Sequence, residues 1–386
     1  MNIIFNKKKI LVYSGSRADY SNLKILINFM RKKKNFKVDL ATSGIHNSKK
    51  FGHTFNEIYQ DKIKINYKSK IFLKKTNFEN IIKFLSSSTY ENYKILSKSK
   101  PNLVLLYGDR YEVLYFGLVA YICNIPIAHL HGGEITEGAN DDGFRHALTK
   151  LSNYHFVSHK AYRNRVIQLG ENPKHVFNFG SISSENLKKM KFESKNILFK
   201  KYKIPLNKKI ALVTFHPITK NNMIIKNYIN IFLSAINKFK NYYYIITYNN
   251  SDNLGDYYIN QINKFKRENQ NVKLFKFMGS KTYLSFLKYS DIIIGNSSSG
   301  IYEAPALKTK TLNIGNRQHG RINSSSITNV ENNQKKILIA MNKIFKSNKK
   351  IYFENIYFKK NTCKNINSQI LKILKYKKHD KKFYDL

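Results

Sequence analysis

The segment HLHGGEITEGANDDGFRHAL, residues 129–148, crowds His129, His131, Glu134, Asp141, Asp142, Arg145 and His146 together. Two chemistries suit such a set. On a strand, His129 and His131 alternate and would share a face; with Glu134 behind a Gly-Gly turn they could ligate a metal. The spacing matches no H-E-x-x-H or comparable ligand signature, so no metal is expected. The other chemistry is acid–base work, which needs carboxylates close together in environments that push their pKa values apart. Asp142, Arg145 and His146 stand at i, i+3 and i+4, which on a helix makes one self-supporting face. One of the Asp141/Asp142 pair could equally be an N-cap.

Other segments suit an anionic ligand. In SGSRADYSNLK (14–24), a glycine turn opens a helix beside Arg17. Backbone N–H groups there favour an anion, or the turn is a capping motif in which Arg17 and Asp19 pair. It is not G-x-G-x-x-G, so a dinucleotide is not indicated. YGDRYE (107–112) puts Asp109 and Arg110 at a strand end, as an ion pair or as site residues. His216, held extended before Pro217, could donate to a phosphate. GNSSSGIYEAPAL (295–307) offers Ser297, Ser298 and Ser299 at a helix start, a seat for phosphate. Glu303 would repel phosphate and better suits ribose hydroxyls, unless it is a capping-box partner. Arg317, in NIGNRQHGR (313–321), suits a diphosphate.

These residues need elements that place them. Short apolar runs alternate with helical patterns, the mark of an α/β fold with parallel strands. KILVYSG (9–15), FKVDLAT (36–42), NLVLLYGD (102–109), IPIAHL (125–130), YHFVSH (154–159) and HVFNFG (175–180) read as strands of a first unit. KKIALVTFHP (208–217), YYYIITYN (242–249), VKLFKFMG (272–279), DIIIGNS (291–297) and KTLNIGN (310–316) read as a second. The Lys-rich stretch 184–208 is the natural boundary. Two Rossmann-like halves would face each other across a cleft, with ligands at the carboxyl ends of the strands. The site segments do sit just after predicted strands.

Composition sets the outer limits. The 386 residues are 42% hydrophobic, enough for real cores, and the length favours two domains. The formal charge of +44 raises nucleic acid or an anionic membrane as partners. The lysines are scattered, however, and accompany abundant Asn, Ile, Tyr and Phe with no Trp. A/T-rich coding explains that mixture. No RNP, zinc-finger or basic-zipper pattern is present, so no dedicated nucleic-acid partner is expected. Cys123 and Cys363 make neither a disulfide framework nor a zinc ribbon. The start MNIIFNKKKILVYSG has no long apolar core of a signal peptide. The apolar window 115–130 is interrupted by Asn124 and Pro126. The expectation is a soluble cytoplasmic protein with no membrane partner.

Taken together, SGSRADYSNLK, YGDRYE, HLHGGEITEGANDDGFRHALTKLSNYHFVSH, HPIT, GNSSSGIYEAP and NIGNRQHGR resemble, in order, the hydrolysing UDP-N-acetylglucosamine 2-epimerases. The ending KKFYDL resembles bacterial members as well. The resemblance implies a GT-B-like pair of Rossmann domains with a nucleotide sugar in the central cleft. It divides the chain into a sugar-side domain, 1–183, with 368–386 packing back on it, and a nucleotide-binding domain, 184–367. The implied reaction loses UDP to form a 2-acetamidoglucal, which water converts to N-acetylmannosamine for sialic acid synthesis; no cofactor is implied. The alternative is the same chemistry on a UDP- or GDP-linked 2,4-diacetamido-2,4,6-trideoxyglucose, for legionaminic-type acids. Asp109, Glu134, Asp141 and Asp142 match catalytic carboxylates. His216, Ser297, Ser298, Glu303 and Arg317 match nucleotide-binding positions. Arg17 and Arg110 match further substrate contacts, joined by Arg145 from the Asp142 face, and Asn250 and Asp252 fall near a uridine-side loop. His131 stands where some relatives carry Glu and counts among the catalytic positions. Relatives imply a homodimer or higher homo-oligomer.

Overall fold

The computed structural model describes residues 7–48, 54–218, 225–249, 254–346, 351–376 and 379–386. Asn250 and Asp252 lie outside them. Two parallel sheets organise the chain. The first runs β3-β2-β1-β4-β5-β6-β7, from β1 (Lys9–Ser14), β2 (Lys37–Thr42), β3 (Tyr67–Lys68), β4 (Leu103–Tyr107), β5 (Ile127–Leu130), β6 (Tyr154–Val157) and β7 (Val176–Asn178). The second runs β10-β9-β8-β11-β12-β13, from β8 (Lys209–Thr214), β9 (Tyr242–Thr247), β10 (Val272–Phe275), β11 (Ile292–Gly295), β12 (Lys310–Ile314) and β13 (Ile327–Val330). This is a GT-B-like pair of Rossmann-like α/β units. β3 and β13 escaped the sequence reading because each is an edge strand, two and four residues long, with little apolar signal.

The central strands read as unbroken apolar runs because helices cover both faces. Ile10, Val12, Leu103 and Leu105 bury against Leu23, Leu26 and Ile27 of the helix Arg17–Lys33. Leu11, Val104 and Leu106 bury on the other face against Phe116, Val119 and Leu148. Each such aliphatic side chain taken from water contributes about 1.5–3 kcal/mol. The C-terminal helix Thr362–Ile373 places Cys363, Ile366, Ile370 and Ile373 in the core of the first sheet. There Glu185 Oε2 accepts the Cys363 N–H at 3.0 Å. No helix among the described residues is long and apolar enough to cross a membrane.

In both sheets the strand order reverses beside the first strand, between β1 and β4 and between β8 and β11. Loops on the two sides of such a point diverge and leave a crevice at the carboxyl ends. Ser16, Arg17, Asp109 and Arg110 stand there in the first half; His216 and Ser297–Ser299 stand there in the second. The crevices face each other.

Candidate active site

A cavity of about 590 Å³ lies between the halves. Its wall includes Arg17, Asp109, Arg110, His131, Glu134, Asp141, His216, Ser297, Ser298, Glu303 and Arg317. Asp142 and Arg145 stand directly behind that wall, bonded to its members. Every sequence-predicted site residue within the described residues is therefore at or against one cavity.

The two histidines at the head of the stretch 129–148 do not converge. β5 ends at Leu130, and His131 turns into the left-handed region at φ 64°. The two histidines consequently part company instead of sharing a strand face. His129 is fully buried, donates from Nε2 to the Gly108 carbonyl at 2.8 Å, and burial holds its pKa down at about 3. It is a neutral structural residue at working pH. His131 instead faces Tyr107, Tyr302 and Glu134. A non-glycine residue held at positive φ costs roughly 1–2 kcal/mol, a strain that persists where the surroundings enforce it. Among the described residues no group of three or more His, Cys, Asp or Glu could hold a metal ion.

Four carboxylates meet arginines here. Glu134 is 2% exposed; its Oε1 accepts from His131 Nδ1 at 2.8 Å and from the Tyr302 hydroxyl, and its Oε2 lies 2.7 Å from Arg321 Nη2. Burial alone would raise its pKa, but Arg321 and the His131 hydrogen bond hold it well below the usual carboxylate range. Asp109 bonds Arg145 Nη2 and lies 4.0 Å from Arg321 Nη2. Against the same burial penalty these two guanidinium groups hold it low as well. Arg145, on the helix Asp141–Leu151, also reaches the Glu134 carbonyl at 2.8 Å and Thr136 Oγ1 at 3.0 Å. Asp142 accepts from the Thr136 N–H at 2.6 Å and lies 3.3 Å from Arg145 and 3.8 Å from His146. The i, i+3, i+4 face is real and works by gripping the loop that carries Glu134. Asp141 looks across the cleft, 3.5 Å from Arg317 Nη2.

On the other wall, Asn296 bonds both the N–H and the carbonyl of His216, at 2.7 and 2.8 Å. Its own carbonyl takes Arg317 Nη1 at 3.2 Å and Gln318 at 2.8 Å. The helix after the Ser-rich turn spans only Ser299–Tyr302, so one turn of dipole backs the three serines rather than a full helix. Glu303 is not a capping-box partner of Ser298, which makes no side-chain cap. Burial pushes its carboxyl up to about 7 against hydrogen bonds from Ser183 and Ser299.

At the first helix, Asp19 and Ser16 form a capping box, with Asp19 taking the Gly15 N–H at 2.6 Å and the Ser16 N–H at 2.8 Å. Arg17 does not pair with it. Its guanidinium donates to the carbonyls of Tyr248, Asn249 and Lys276 at 2.7, 3.2 and 3.0 Å, bridging to the second half. Arg110 bonds Glu112 Oε1 at 3.0 Å. The halves also meet at Gly138, where a Cβ would come within 2.6 Å of Asn316 Oδ1 and 2.9 Å of Arg317 Cα. Only glycine admits that approach.

The sequence reading missed Arg321, Tyr302 and Tyr107. Arg321 ends the same motif that supplies Arg317. Loops carry no periodicity from which the direction of a second arginine could be read. Tyr302 and Tyr107 look like core aromatics in sequence.

The family model described as UDP-N-acetylglucosamine 2-epimerase matches residues 28–371. The chain is 38% identical over 330 residues, 85% of each chain, to a GDP/UDP-N,N'-diacetylbacillosamine 2-epimerase (hydrolyzing) of Campylobacter jejuni. It is 36% identical over 385 residues, 98% of each, to polysialic acid biosynthesis protein P7 of Escherichia coli. Its fold matches a UDP-GlcNAc 2-epimerase of Neisseria meningitidis bound to UDP-GlcNAc, with a TM-score of 0.78 at 20% identity, over 94% of this chain and 100% of that one.

Proposed function

The chain belongs to the UDP-N-acetylglucosamine 2-epimerase family, enzymes acting on nucleotide sugars, and from that premise we propose that it hydrolyses a UDP- or GDP-linked 2,4-diacetamido-2,4,6-trideoxyglucose with inversion at C2. The observation that carries the reaction is the convergence of Asp109, Glu134 and Asp141 on one cavity opposite Ser297–Ser299, His216 and Arg317. Acid–base groups face a wall suited to a diphosphate. The name of the Campylobacter relative supports the diacetamido donor over UDP-N-acetylglucosamine, which the sequence motifs placed first. UDP-N-acetylglucosamine giving N-acetylmannosamine remains the second reading, favoured by the end-to-end match to the polysialic acid protein.

The chemistry follows from the substrate. A pyranoside C2–H has no adjacent carbonyl and is not acidic. Its loss must accompany departure of the diphosphate and positive charge at C1. Arg317, His216 and the serine turn stabilise the departing charge, Glu303 accepts ribose hydroxyls, and Arg17 and Arg110 line the substrate channel. The anions Asp109 and Glu134 favour the cationic C1. Addition of water to the resulting glycal completes a sequence with no net oxidation, so no nicotinamide is required.

The proposed assembly is a homodimer or higher homo-oligomer, in the cytoplasm. Phe78, Ile82, Tyr90 and Tyr93 follow one face of the helix Phe78–Ser99, and Leu118, Tyr121 and Ile122 follow one face of the neighbouring helix Tyr111–Ile122. All are exposed, Ile122 to 68%. An apolar surface of that kind supports association of two copies.

The test is incubation with each donor in deuterated water. Release of nucleoside diphosphate with a C2-deuterated, C2-inverted diacetamido sugar is expected. Faster turnover of UDP-N-acetylglucosamine would move the assignment to the second reading, and intact donors throughout would sink both.

A further inference from the structure

Two carboxylates at the site, Asp109 and Glu134, are obvious candidates to take the C2 proton, yet neither is placed as a base. Both oxygens of Glu134 are engaged by three donors: His131 Nδ1, the Tyr302 hydroxyl and Arg321 Nη2. Asp109 is held by Arg145 and faces Arg321. Carboxylates kept anionic by guanidinium groups have little affinity for a proton and make weak bases. His131 differs. An ionised carboxylate can only accept, so the proton of a neutral imidazole sits on Nδ1 and the lone pair on Nε2. His131 Nε2 is buried and has no hydrogen-bond partner among the described residues, while the ring belongs to the cavity wall. The ring is fixed between Tyr107, centroids 4.7 Å apart, and Tyr302, 5.5 Å apart. Tyr302 is itself stacked on Tyr357 at 4.1 Å.

We propose that His131 Nε2 is the atom that takes the C2 proton, and that Glu134, Tyr302 and Arg321 are positioning residues that fix the imidazole for it. The proposal rests on the elimination–hydration reading above. As Nε2 takes the proton, the C2–H electron pair becomes the C1–C2 double bond and the C1–O pair leaves on the β-phosphate. The imidazolium passes its proton to the departing diphosphate. Hydration then adds hydroxyl at C1 and a proton on the opposite face of C2, from a group other than His131. His131 and Glu134 come from the first half, and Tyr302 and Arg321 from the second, so the contacts that fix the dyad span the two halves.

Two variants and one spectroscopic measurement test it. His131→Asn keeps a donor for Glu134 and removes the titratable lone pair. It should bind UDP or GDP, by calorimetry, within about threefold of wild type while release from the donor falls on the order of 10²–10⁴-fold. Tyr302→Phe keeps the stacked ring, and should lower kcat about tenfold while KM changes by less than about threefold. Nitrogen NMR of the free protein should show the neutral His131 ring protonated on Nδ1. His131→Asn within about threefold of wild-type kcat, or a ring protonated on Nε2 alone, overturns the proposal. A wild-type enzyme that releases nucleotide from no donor defeats the functional reading instead, and the tautomer still decides the dyad.

Discussion

Arg321 Nη2 lies 2.7 Å from Glu134 Oε2, and the two side chains come from opposite walls of the cleft. Each is less than a tenth exposed, so screening by water is slight. The pair couples closure of the halves to the electrostatics of the site. Replacing Arg321 by Met leaves Glu134 as a buried, uncompensated charge, which costs about 3–5 kcal/mol. The expected outcome is a clear drop in the thermal midpoint and a loss of kcat on the order of 10²-fold or more. The double variant R321M/E134Q should recover much of the stability and none of the activity; a double-mutant cycle measures the coupling. Full activity in R321M would refute the role given to this pair.

Glu303 carries a pH dependence with two opposite signs. Burial raises its folded pKa from 4.5 to about 7. The group therefore contributes stability that is fully present below its unfolded value and lost as pH rises through about 7. In the proposed role of Glu303 as acceptor for ribose hydroxyls, by contrast, the carboxylate is the binding form. Affinity should rise through the same interval while thermal stability falls. Glu303→Gln should flatten both curves, read by calorimetry and thermal melts.

Gly133 has φ +79°, and a Cβ there would lie 2.4 Å from the Tyr162 carbonyl oxygen. Gly133→Ala must distort the turn between His131 and Glu134. The left-handed penalty alone is about 1–2 kcal/mol, and the backbone collision adds to it. A lower thermal midpoint is expected, with activity lost well below that midpoint because the His131–Glu134 contact is displaced. Activity in G133A equal to wild type at low temperature would show that the turn geometry is not critical.

The exposed apolar stripe makes a prediction about assembly. Tyr90→Glu with Ile122→Glu places charges in the proposed interface, and the double variant should sediment as a monomer with the melting curve of each chain otherwise intact. Sedimentation as a dimer would move the interface elsewhere.

The fold was legible in the chain because burial writes a strong local signal. Runs such as KILVYSG and DIIIGNS are apolar without alternation since helices cover both sheet faces, and the residues after them mark the carboxyl ends where ligands bind. The weak strands β3 and β13 carry no such signal at their sheet edges. The residues lining the cavity were legible as a set of motifs, but two local contacts were not. His129 and His131 read as one face of a strand, but the strand stops between them and the left-handed turn at His131 sends its ring elsewhere. The turn at Arg17 read either as an anion seat or as a cap in which Arg17 and Asp19 pair; Asp19 serves the capping box, and Arg17 bridges to the other half.

By itself the sequence determined the two parallel-sheet units, the strand ends that open onto the cavity, and a set of the charged and hydroxyl side chains that line it. Periodicity and turn residues encode those things locally. Only the tertiary structure decided which partners the charges meet across the cleft. Asp141 with Arg317, Glu134 with Tyr302 and Arg321, and Arg17 with Tyr248 are separated by well over a hundred residues. No local pattern encodes such contacts, because they exist only once two independently wound sheets close on each other and exclude water. That exclusion, with the guanidinium groups it encloses, is what holds Asp109 and Glu134 as fixed anions.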